Sequence, residues 1–257
     1  MDSKLIKKFK KDGFIVYDLK EKNILRQLRN RFLSTFDKTS KINLNKSIND
    51  DQHIIDLYNS KNRKYWTGVY DIIKLDPLLY KLASSNELLT TAKKLSLKDP
   101  SFGTRPQVRV DMPNDEKFSF KSHQDYPFNL GSKNSIVAWI PLQTVTKENG
   151  AIQIARSSHK NFKTYLYGKN NKFNIDIGKN VKKKIIDKNH YKLSLDDKKF
   201  NFESIKLKFG QVLIFSQFLV HKSGENTSNR IRFSVQLRYT DLSDKDYAKR
   251  NYFLFLR

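Results

Sequence analysis

Residues 211–241 have the sequence QVLIFSQFLVHKSGENTSNRIRFSVQLRYTD. Two apolar segments of strand length are separated here by a stretch of Ser, Gly, Asn and Glu, which is typical of a turn. His221 stands where the first strand is expected to end, and Arg232 lies in the second strand, 232 − 221 = 11 residues later. The stretch therefore predicts two β-strands joined by a polar loop, with a histidine at the end of one strand.

The same pattern extends through the carboxy-terminal half of the chain. From residue 105 onward the apolar runs are short and several alternate with period two, as in RPQVRVDM, SIVAWIPL and AIQIA. The first hundred residues have apolar side chains at helical spacing instead, with one expected helix in 21–36, two in 77–97, and a strand only in 12–19. A helical front followed by about eight short strands predicts a mainly β protein with helical additions, of the jelly-roll barrel type.

We expect a single domain over residues 1–257, with a helical portion in roughly 1–100 and a β core in roughly 101–257. The Lys- and Asn-rich stretch at roughly 161–200 is expected to be an insertion between strands. It is either a solvated surface loop or a partial lid over the barrel mouth.

The composition excludes several classes of protein. The chain has no cysteine, which excludes disulfide scaffolds, thiolate zinc sites, iron–sulfur clusters and cysteine nucleophiles, so any metal must be held by His, Asp or Glu. No apolar run is long enough for a transmembrane helix, and the amino terminus lacks the apolar core of a secretory signal. We therefore expect a cytoplasmic protein without membrane association.

The chain carries a formal net charge of +24. A nucleic-acid or anionic-membrane surface would explain this charge, and so would a lysine surplus from an AT-rich genome. Lysine supplies 38 of the 50 basic residues and is scattered, without an arginine-rich stripe. This distribution favours the second explanation, so we expect no specific nucleic-acid partner. Attraction of anionic small substrates stays open under either explanation.

His123, Asp125 and His221 are the candidate metal ligands. His123-Gln124-Asp125 is a His-x-Asp pair, and residues two apart on a strand point to the same face, so both side chains would converge on one ion. Two histidines and one carboxylate form the facial triad of non-haem iron(II) oxygenases, which leaves three coordination positions open. The same donors suit zinc, manganese or nickel, so the triad alone does not fix the metal.

Arg232 is the candidate residue for binding a dicarboxylate, because a planar guanidinium pairs with a carboxylate through two parallel hydrogen bonds. One face of its strand carries Arg230, Arg232, Ser234 and Gln236, whereas the other carries Phe233, Val235 and Leu237. The polar face is either exposed to solvent or lines a polar pocket.

Four blocks of the chain resemble the phytanoyl-CoA dioxygenase family. They are KKDGFIVYDL at 10–19, His-Gln-Asp at 123–125, VAWIPLQTVTKENGAIQIARSSHK at 137–160 and HKSGENTSNRIR at 221–232. The likeness covers nearly the whole chain and is weakest at 38–75 and 161–200. Ala155-Arg156-Ser157 stands where the family usually carries Pro-Gly before Ser-His, which we expect to change a turn and not the iron site.

The resemblance implies a double-stranded β-helix (cupin-like) fold, ferrous iron, 2-oxoglutarate as co-substrate, and O2. It implies iron on His123, Asp125 and His221, and the distal carboxylate of 2-oxoglutarate on Arg232. Ser223 matches the family serine that follows the second histidine, where it would assist that carboxylate.

Four further positions have alternative interpretations. Trp139 either walls the co-substrate pocket or is a core tryptophan. Gln107 either reaches the iron-side carboxylate or is an ordinary inward polar residue. Glu148-Asn149-Gly150 is expected to be a structural turn and not a site, and His159 is expected to cap or pack locally and not to bind metal.

We therefore expect an Fe(II)- and 2-oxoglutarate-dependent dioxygenase that hydroxylates a C–H bond of a small polar or anionic metabolite, such as a sugar derivative. Asp125 favours hydroxylation, because halogenating relatives have Ala or Gly there and leave room for a halide. The rival functions are a cupin-type metalloenzyme that does not use 2-oxoglutarate, a nucleic-acid-modifying dioxygenase and a non-catalytic binding module. Arg232 distinguishes the first rival, since such an enzyme needs no cation for a distal carboxylate.

The scattered lysines predict weak, sequence-independent binding to nucleic acid. Because such binding rests on phosphate contacts alone, we expect dissociation constants on the order of 10⁻⁴–10⁻⁶ M at physiological salt. Fluorescence anisotropy with labelled DNA and RNA at several salt concentrations measures this. A nanomolar, sequence-specific complex at physiological salt would contradict the prediction and favour the nucleic-acid-modifying enzyme.

Overall fold

The structure is a computed structural model, and it describes residues 3–39, 50–59, 63–115, 119–129, 131–160, 195 and 197–252. The helices are α1 (Ser3–Asp12), α2 (Asn23–Thr39), α3 (Asp50–Asn59), α4 (Arg63–Ile73), α5 (Pro77–Ala83), α6 (Asn86–Lys94), α7 (Tyr126–Asn129) and α8 (Lys245–Lys249). The strands are β1 (Phe14–Asp18), β2 (Pro100–Phe102), β3 (Gln107–Asp111), β4 (Ile136–Pro141), β5 (Gln153–Ala155), β6 (Phe202–Ser204), β7 (Gln211–Ser216), β8 (His221–Lys222) and β9 (Arg232–Asp241).

These strands form two antiparallel sheets. The larger sheet has the order β1-β7-β4-β9-β2, with β3 also paired to β9, and the smaller has the order β6-β5-β8. Strand β1 precedes most of the helices in sequence but completes the larger sheet beside β7. The expected mainly β fold with helices in the amino-terminal part is confirmed.

One face of the larger sheet packs against the helices. On β9 the side chains of Phe233, Val235 and Leu237 point to this face, because successive strand residues alternate between faces. They belong to one apolar cluster with Leu28 and Phe32 of α2, both fully buried. The helical part of the chain and the β part therefore share a core.

The opposite, inner face of the larger sheet is divided into an apolar part and a polar part. Trp139 of β4 and Phe215 of β7 pack here with Ile154 of the smaller sheet. On the polar part, Gln107, Arg109 and Asp111 of β3 lie opposite Gln236, Ser234 and Arg232 of β9. Trp139 is paired with Gln236, and directly paired residues face the same side, so both parts belong to one interior.

The polar face of β9 is therefore buried. Arg232 is 3% exposed and Ser234 is fully buried, which decides against a solvent-exposed face. The expectation that Arg230 shares this face is wrong, because β9 begins at Arg232 and Arg230 lies exposed before it.

The expected insertion at 161–200 lies largely outside the described residues, which include only 195 and 197–200 of it. Its role as a loop or a lid stays a prediction, as does the single-domain organisation. His190 and the side chain of His53 also lie outside the described part. Among the described residues, no helix is long and apolar enough to cross a membrane.

The helix packing predicts unequal effects at two adjacent isoleucines of α4. Ile73 is 3% exposed and belongs to the shared core, whereas Ile72 is 57% exposed. Ile73→Ala should lower the free energy of unfolding by about 2–5 kcal/mol, because it removes buried methyl groups and leaves a cavity. Ile72→Ala, the matched control, should change it by less than about 0.5 kcal/mol. Urea titrations measure both, and equal effects would show that α4 does not pack as described.

Candidate metal centre

His123 and Asp125 do not lie on the common β-strand that the sequence predicted. His123 forms an isolated antiparallel bridge with His221, and Asp125 lies in the bend before α7. The prediction that strand alternation points both side chains to one face is therefore wrong in its geometry. The two side chains nevertheless converge, because hydrogen bonds to residues distant in sequence hold the segment 123–126 in place.

The segment 123–126 is anchored to the chain between β7 and β8. His123 and His221 exchange backbone hydrogen bonds of 2.9 Å in each direction. The side chain of Gln124 donates to the carbonyl of Phe218 at 2.6 Å, and the backbone N–H of Tyr126 donates to Gln217 at 3.0 Å. Asp125 is thus held between two fixed residues, at a set position relative to both histidines.

His123, Asp125 and His221 form the predicted cluster. Their ligand atoms all lie within 4.8 Å of one another. Oδ1 of Asp125 is 3.6 Å from Nε2 of His123 and 4.0 Å from Nε2 of His221. The three donors therefore surround one point, as ligands of a single ion do.

Both histidines are oriented by the backbone. Nδ1 of His123 lies 2.7 Å from the carbonyl oxygen of Lys121, and Nδ1 of His221 lies 2.9 Å from that of Leu219. A carbonyl oxygen only accepts, so each Nδ1 carries the proton and each Nε2 keeps its lone pair. Hydrogen bonds of this kind orient the metal-binding histidines of proteins.

The electrostatics set the protonation states that a metal needs. Burial and the neighbouring His123 lower the pKa of His221 to about 3, against the opposing charge of Asp125. Burial raises the pKa of Asp125, but the lowering caused by Arg238 and the two histidines is larger than this rise. The pKa of Asp125 therefore lies below its usual range. At neutral pH His221 is uncharged and Asp125 is ionised, so both can bind a cation without releasing a proton.

Arg232 lies on the inner face of β9 with part of its guanidinium paired. Its Nη2 lies 2.9 Å and its Nε 3.3 Å from Oδ2 of Asp111. Its Nη1 is buried and has no hydrogen-bond partner among the residues that the structure describes. A buried donor without a partner is costly, so this atom fits an acceptor supplied by a ligand.

Gly150 makes room for the guanidinium of Arg232. This glycine has a φ of +85°, and a Cβ there would lie 2.5 Å from Nη1 of Arg232. Ser234, two residues along the same face, has a buried hydroxyl that also lacks a partner among the described residues. Two buried donors on one strand face, both without a partner among the described residues, fit a carboxylate. A His₂Asp donor set fits iron(II).

The other predicted site residues lie around the same interior. Trp139 is part of the apolar cluster, which agrees with the interpretation as a core tryptophan. The centroid of its ring is 5.8 Å from Cζ of Arg232, and its role as a wall of the co-substrate pocket stays a prediction. Gln107 is half-buried on the inner face of β3, where its side chain donates to the carbonyl of Arg105. The hydroxyl of Ser223 accepts a 3.0 Å hydrogen bond from the backbone N–H of Phe120.

Sequence reasoning missed Asp111 and Arg238. Asp111 forms ion pairs with Arg109 at 2.5 Å and with Arg232 at 2.9 Å. Arg238 forms an ion pair with Asp125 at 2.9 Å. The alternation on β9 contained the signal for Arg238, because one further step along the polar face after Gln236 reaches it.

Two asparagines in the family-like blocks have structural roles. The side chain of Asn149 accepts from the backbone N–H of Thr146 and donates to the carbonyl of Thr144, so 148–150 is the expected turn. Asn226 donates to the carbonyls of Asp111 and Arg230. These contacts connect the loop after His221 to β3 and fix the start of β9.

His159 and the turn at Ala155-Arg156-Ser157, where the sequence departs from the family pattern, lie against α1. Nε2 of His159 is 3.3 Å from the carbonyl oxygen of Lys10, which agrees with the expected local packing. Arg156 forms ion pairs with Asp12 and Glu203. The substitution of the usual Pro-Gly therefore alters a contact with α1.

The fold and the cluster together define the non-haem iron dioxygenase class. The sequence matches the phytanoyl-CoA dioxygenase family, described as "Phytanoyl-CoA dioxygenase (PhyH)", over residues 9–234. The chain belongs to this family, which uses iron(II) and 2-oxoglutarate, as the resemblance implied. No curated protein sequence matches the chain.

Solved structures with a similar fold include three enzymes. The alpha ketoglutarate dependent epimerase SnoN from nogalamycin biosynthesis is 14% identical, with a TM-score of 0.58 over 93% of this chain and 82% of SnoN. EctD from S. alaskensis, solved with 2-oxoglutarate and 5-hydroxyectoine, is 15% identical, with a TM-score of 0.61 over 95% and 77%. The carbocyclase SnoK is 15% identical, with a TM-score of 0.60 over 97% and 90%. At these identities the likeness shows the shared fold.

The cluster predicts that metal binding depends on both histidines. His123→Ala and His221→Ala should each abolish stoichiometric Fe(II) binding, because two remaining ligands hold the ion too weakly. His159→Ala, the matched control, should keep full binding, since this histidine contacts α1. Iron per chain after anaerobic desalting measures the effect, and circular dichroism checks the fold. Full iron content in either ligand variant would rule out these assignments.

Proposed function

We propose that the chain binds Fe(II) through His123, Asp125 and His221, binds 2-oxoglutarate through Arg232, and hydroxylates a C–H bond of a small polar or anionic metabolite, such as a sugar derivative. The observation that carries the proposal is the buried Nη1 of Arg232, which has no hydrogen-bond partner among the described residues. Arg232 lies on the same face of β9 as Arg238, and Arg238 contacts the proposed metal ligands through its ion pair with Asp125.

The three proposed ligands would occupy three coordination positions of an octahedral ion and leave the other three for 2-oxoglutarate and O2. Bound iron supplies the oxidative chemistry, in which 2-oxoglutarate is decarboxylated to succinate and CO₂ while oxygen is delivered to the substrate. The protein's part is to hold the ion, orient the co-substrate and exclude water from the interior.

Arg232 orients the co-substrate in this proposal. Asp111 fixes the guanidinium through Nε and Nη2, so Nη1 has one direction in which to donate. The distal carboxylate of 2-oxoglutarate accepts this bond, with the hydroxyls of Ser223 and Ser234 as further donors. Trp139 forms a wall of the pocket, and Gln107 donates to the carboxylate next to the iron.

The substrate class rests on the chemistry of the interior. Three arginines on the inner face of β3 and β9 pair with two carboxylates, Asp111 on β3 and Asp125 in the bend before α7. The iron adds two positive charges and 2-oxoglutarate removes two, so one positive charge remains in the pocket. This balance favours a polar or anionic substrate over an apolar one. The names of SnoN and SnoK, an epimerase and a carbocyclase, show that this fold accommodates outcomes other than hydroxylation.

A cupin-type metalloenzyme without 2-oxoglutarate remains the main rival. Such an enzyme has no use for a buried guanidinium whose free N–H is directed into the interior. The nucleic-acid-modifying rival rests on the net charge alone.

A screen of metabolite groups for stimulated succinate release identifies the substrate class.

The proposal predicts that Arg232 determines the affinity of the protein for 2-oxoglutarate. Arg232→Ala should weaken 2-oxoglutarate binding by about two orders of magnitude or more, because removing one side of a buried charged pair costs roughly 3–5 kcal/mol. Arg232→Lys should recover only part of the affinity, since an ammonium lacks the planar fork. The measurement is anaerobic titration of the absorption band that appears when 2-oxoglutarate binds the iron-loaded protein.

Arg230→Ala is the matched control, because Arg230 lies exposed before the strand. It should bind 2-oxoglutarate like the wild type. Fe(II) affinity without 2-oxoglutarate should be nearly unchanged in every Arg232 variant, which separates loss of the co-substrate from loss of the fold. Wild-type 2-oxoglutarate affinity in Arg232→Ala would remove the assignment and support the rival metalloenzyme.

A further inference from the structure

We propose that Arg238 is a positioning residue that keeps Asp125 a one-oxygen metal ligand and so preserves the coordination positions used by the co-substrates. This inference deepens the proposed function and rests on it for the identity of the metal. Neither the family resemblance nor the pattern of the motifs assigned a role to Arg238.

The two oxygens of Asp125 have different neighbours. Oδ1 is the oxygen near the histidines, 3.6 Å and 4.0 Å from the Nε2 atoms of His123 and His221. Oδ2 accepts a hydrogen bond of 2.9 Å from Nε of Arg238. One oxygen therefore faces the ion, and the other is engaged by a charged donor.

Arg238 is itself held in place. Its Nη2 donates to Oε1 of Gln236 at 3.1 Å, two residues earlier on the same face of β9. Its backbone carbonyl accepts a 2.8 Å hydrogen bond from the N–H of Gly103, and its side chain is 15% exposed. The guanidinium therefore enters the interior from a central strand, with two of its nitrogens committed.

This arrangement decides how Asp125 can bind. A carboxylate with two free oxygens beside a cation can bind through one or both of them. A charge-assisted hydrogen bond is about twice as strong as a neutral one, so the bond from Arg238 opposes rotation of Oδ2 toward the ion. Binding through both oxygens would occupy one of the three positions that the triad otherwise leaves open.

Arg238 therefore has a role that a charge partner alone would not have. Neutralising Asp125 would require a cation anywhere nearby, whereas fixing its orientation requires a donor directed at Oδ2. The guanidinium of Arg238 donates from Nε to Oδ2 of Asp125 and from Nη2 to Oε1 of Gln236. The contact with Asp125 is therefore its link to the proposed metal.

The test uses Arg238→Gln and Arg238→Lys in the full-length protein. Loss of a contact to a metal ligand typically costs about 10–100-fold in metal affinity, and we expect such a loss for Fe(II) in Arg238→Gln. Arg238→Lys, which retains the charge, should lose less. Arg156→Gln is the matched control, because Arg156 forms ion pairs with Asp12 and Glu203, neither of which is a ligand.

The second readout reports on the open position. Nitric oxide is titrated anaerobically, as a substitute for O2, into protein saturated with Fe(II) and 2-oxoglutarate, and binding is followed by electron paramagnetic resonance. We expect weaker nitric oxide binding in Arg238→Gln and wild-type binding in Arg156→Gln. Added methylguanidinium should restore part of the nitric oxide affinity in Arg238→Ala.

The outcomes separate this inference from the proposed function. A wild-type protein that binds Fe(II) but not 2-oxoglutarate contradicts the proposed function and leaves the metal-affinity test of Arg238 in place. Wild-type Fe(II) and nitric oxide affinities in Arg238→Gln overturn the inference. Loss of Fe(II) affinity with unchanged nitric oxide binding at saturating iron also overturns it, since Arg238 would then only stabilise the site.

Discussion

The structure depends on how charge is buried along the inner face of β9. A buried charge is tolerated only with a partner and further hydrogen bonds. Here Asp111 lies between Arg109 and Arg232, and Asp125 lies against Arg238. Among the described residues, Nη1 of Arg232 has no hydrogen-bond partner, and Oδ1 of Asp125 lies beside the Nε2 atoms of the two histidines. The same contacts that make the charges tolerable also hold these two atoms in place, and we propose that 2-oxoglutarate and iron bind to them.

This arrangement requires a strand with two different faces. The residues of β9 that point to the helices are apolar and belong to the shared core, while the alternating residues are polar and face the smaller sheet. Because both faces are buried, a shift of one residue would place arginines in the helix-facing core and phenylalanine beside the metal ligands. The register of β9 against β3 and β4 is therefore a condition for both the fold and the site.

The ligand roles of His123, Asp125, His221 and Arg232 stay proposals. The sequence predicted the class of fold through local alternation, and through short motifs it singled out these four residues, of which the first three lie together and the fourth is buried. It failed where the structure depends on contacts distant in sequence. His123 and Asp125 converge through anchoring to the chain around Gln217 and Phe218 and not through a strand. The partners Asp111 and Arg238 were missed since a carboxylate or guanidinium within a strand does not indicate which charge it will face. Substrate identity depends on the shape of a pocket, which no short pattern encodes.

The central claim is that one interior holds an ion on the three ligand atoms and a dicarboxylate on Arg232. A crystal structure of the protein grown anaerobically with Fe(II) and 2-oxoglutarate tests it most directly. The account predicts one ion bonded to Nε2 of both histidines and to Oδ1 of Asp125, with a carboxylate of 2-oxoglutarate on Nη1 of Arg232. An ion bound elsewhere, or 2-oxoglutarate with its distal carboxylate on a different cation, would contradict it.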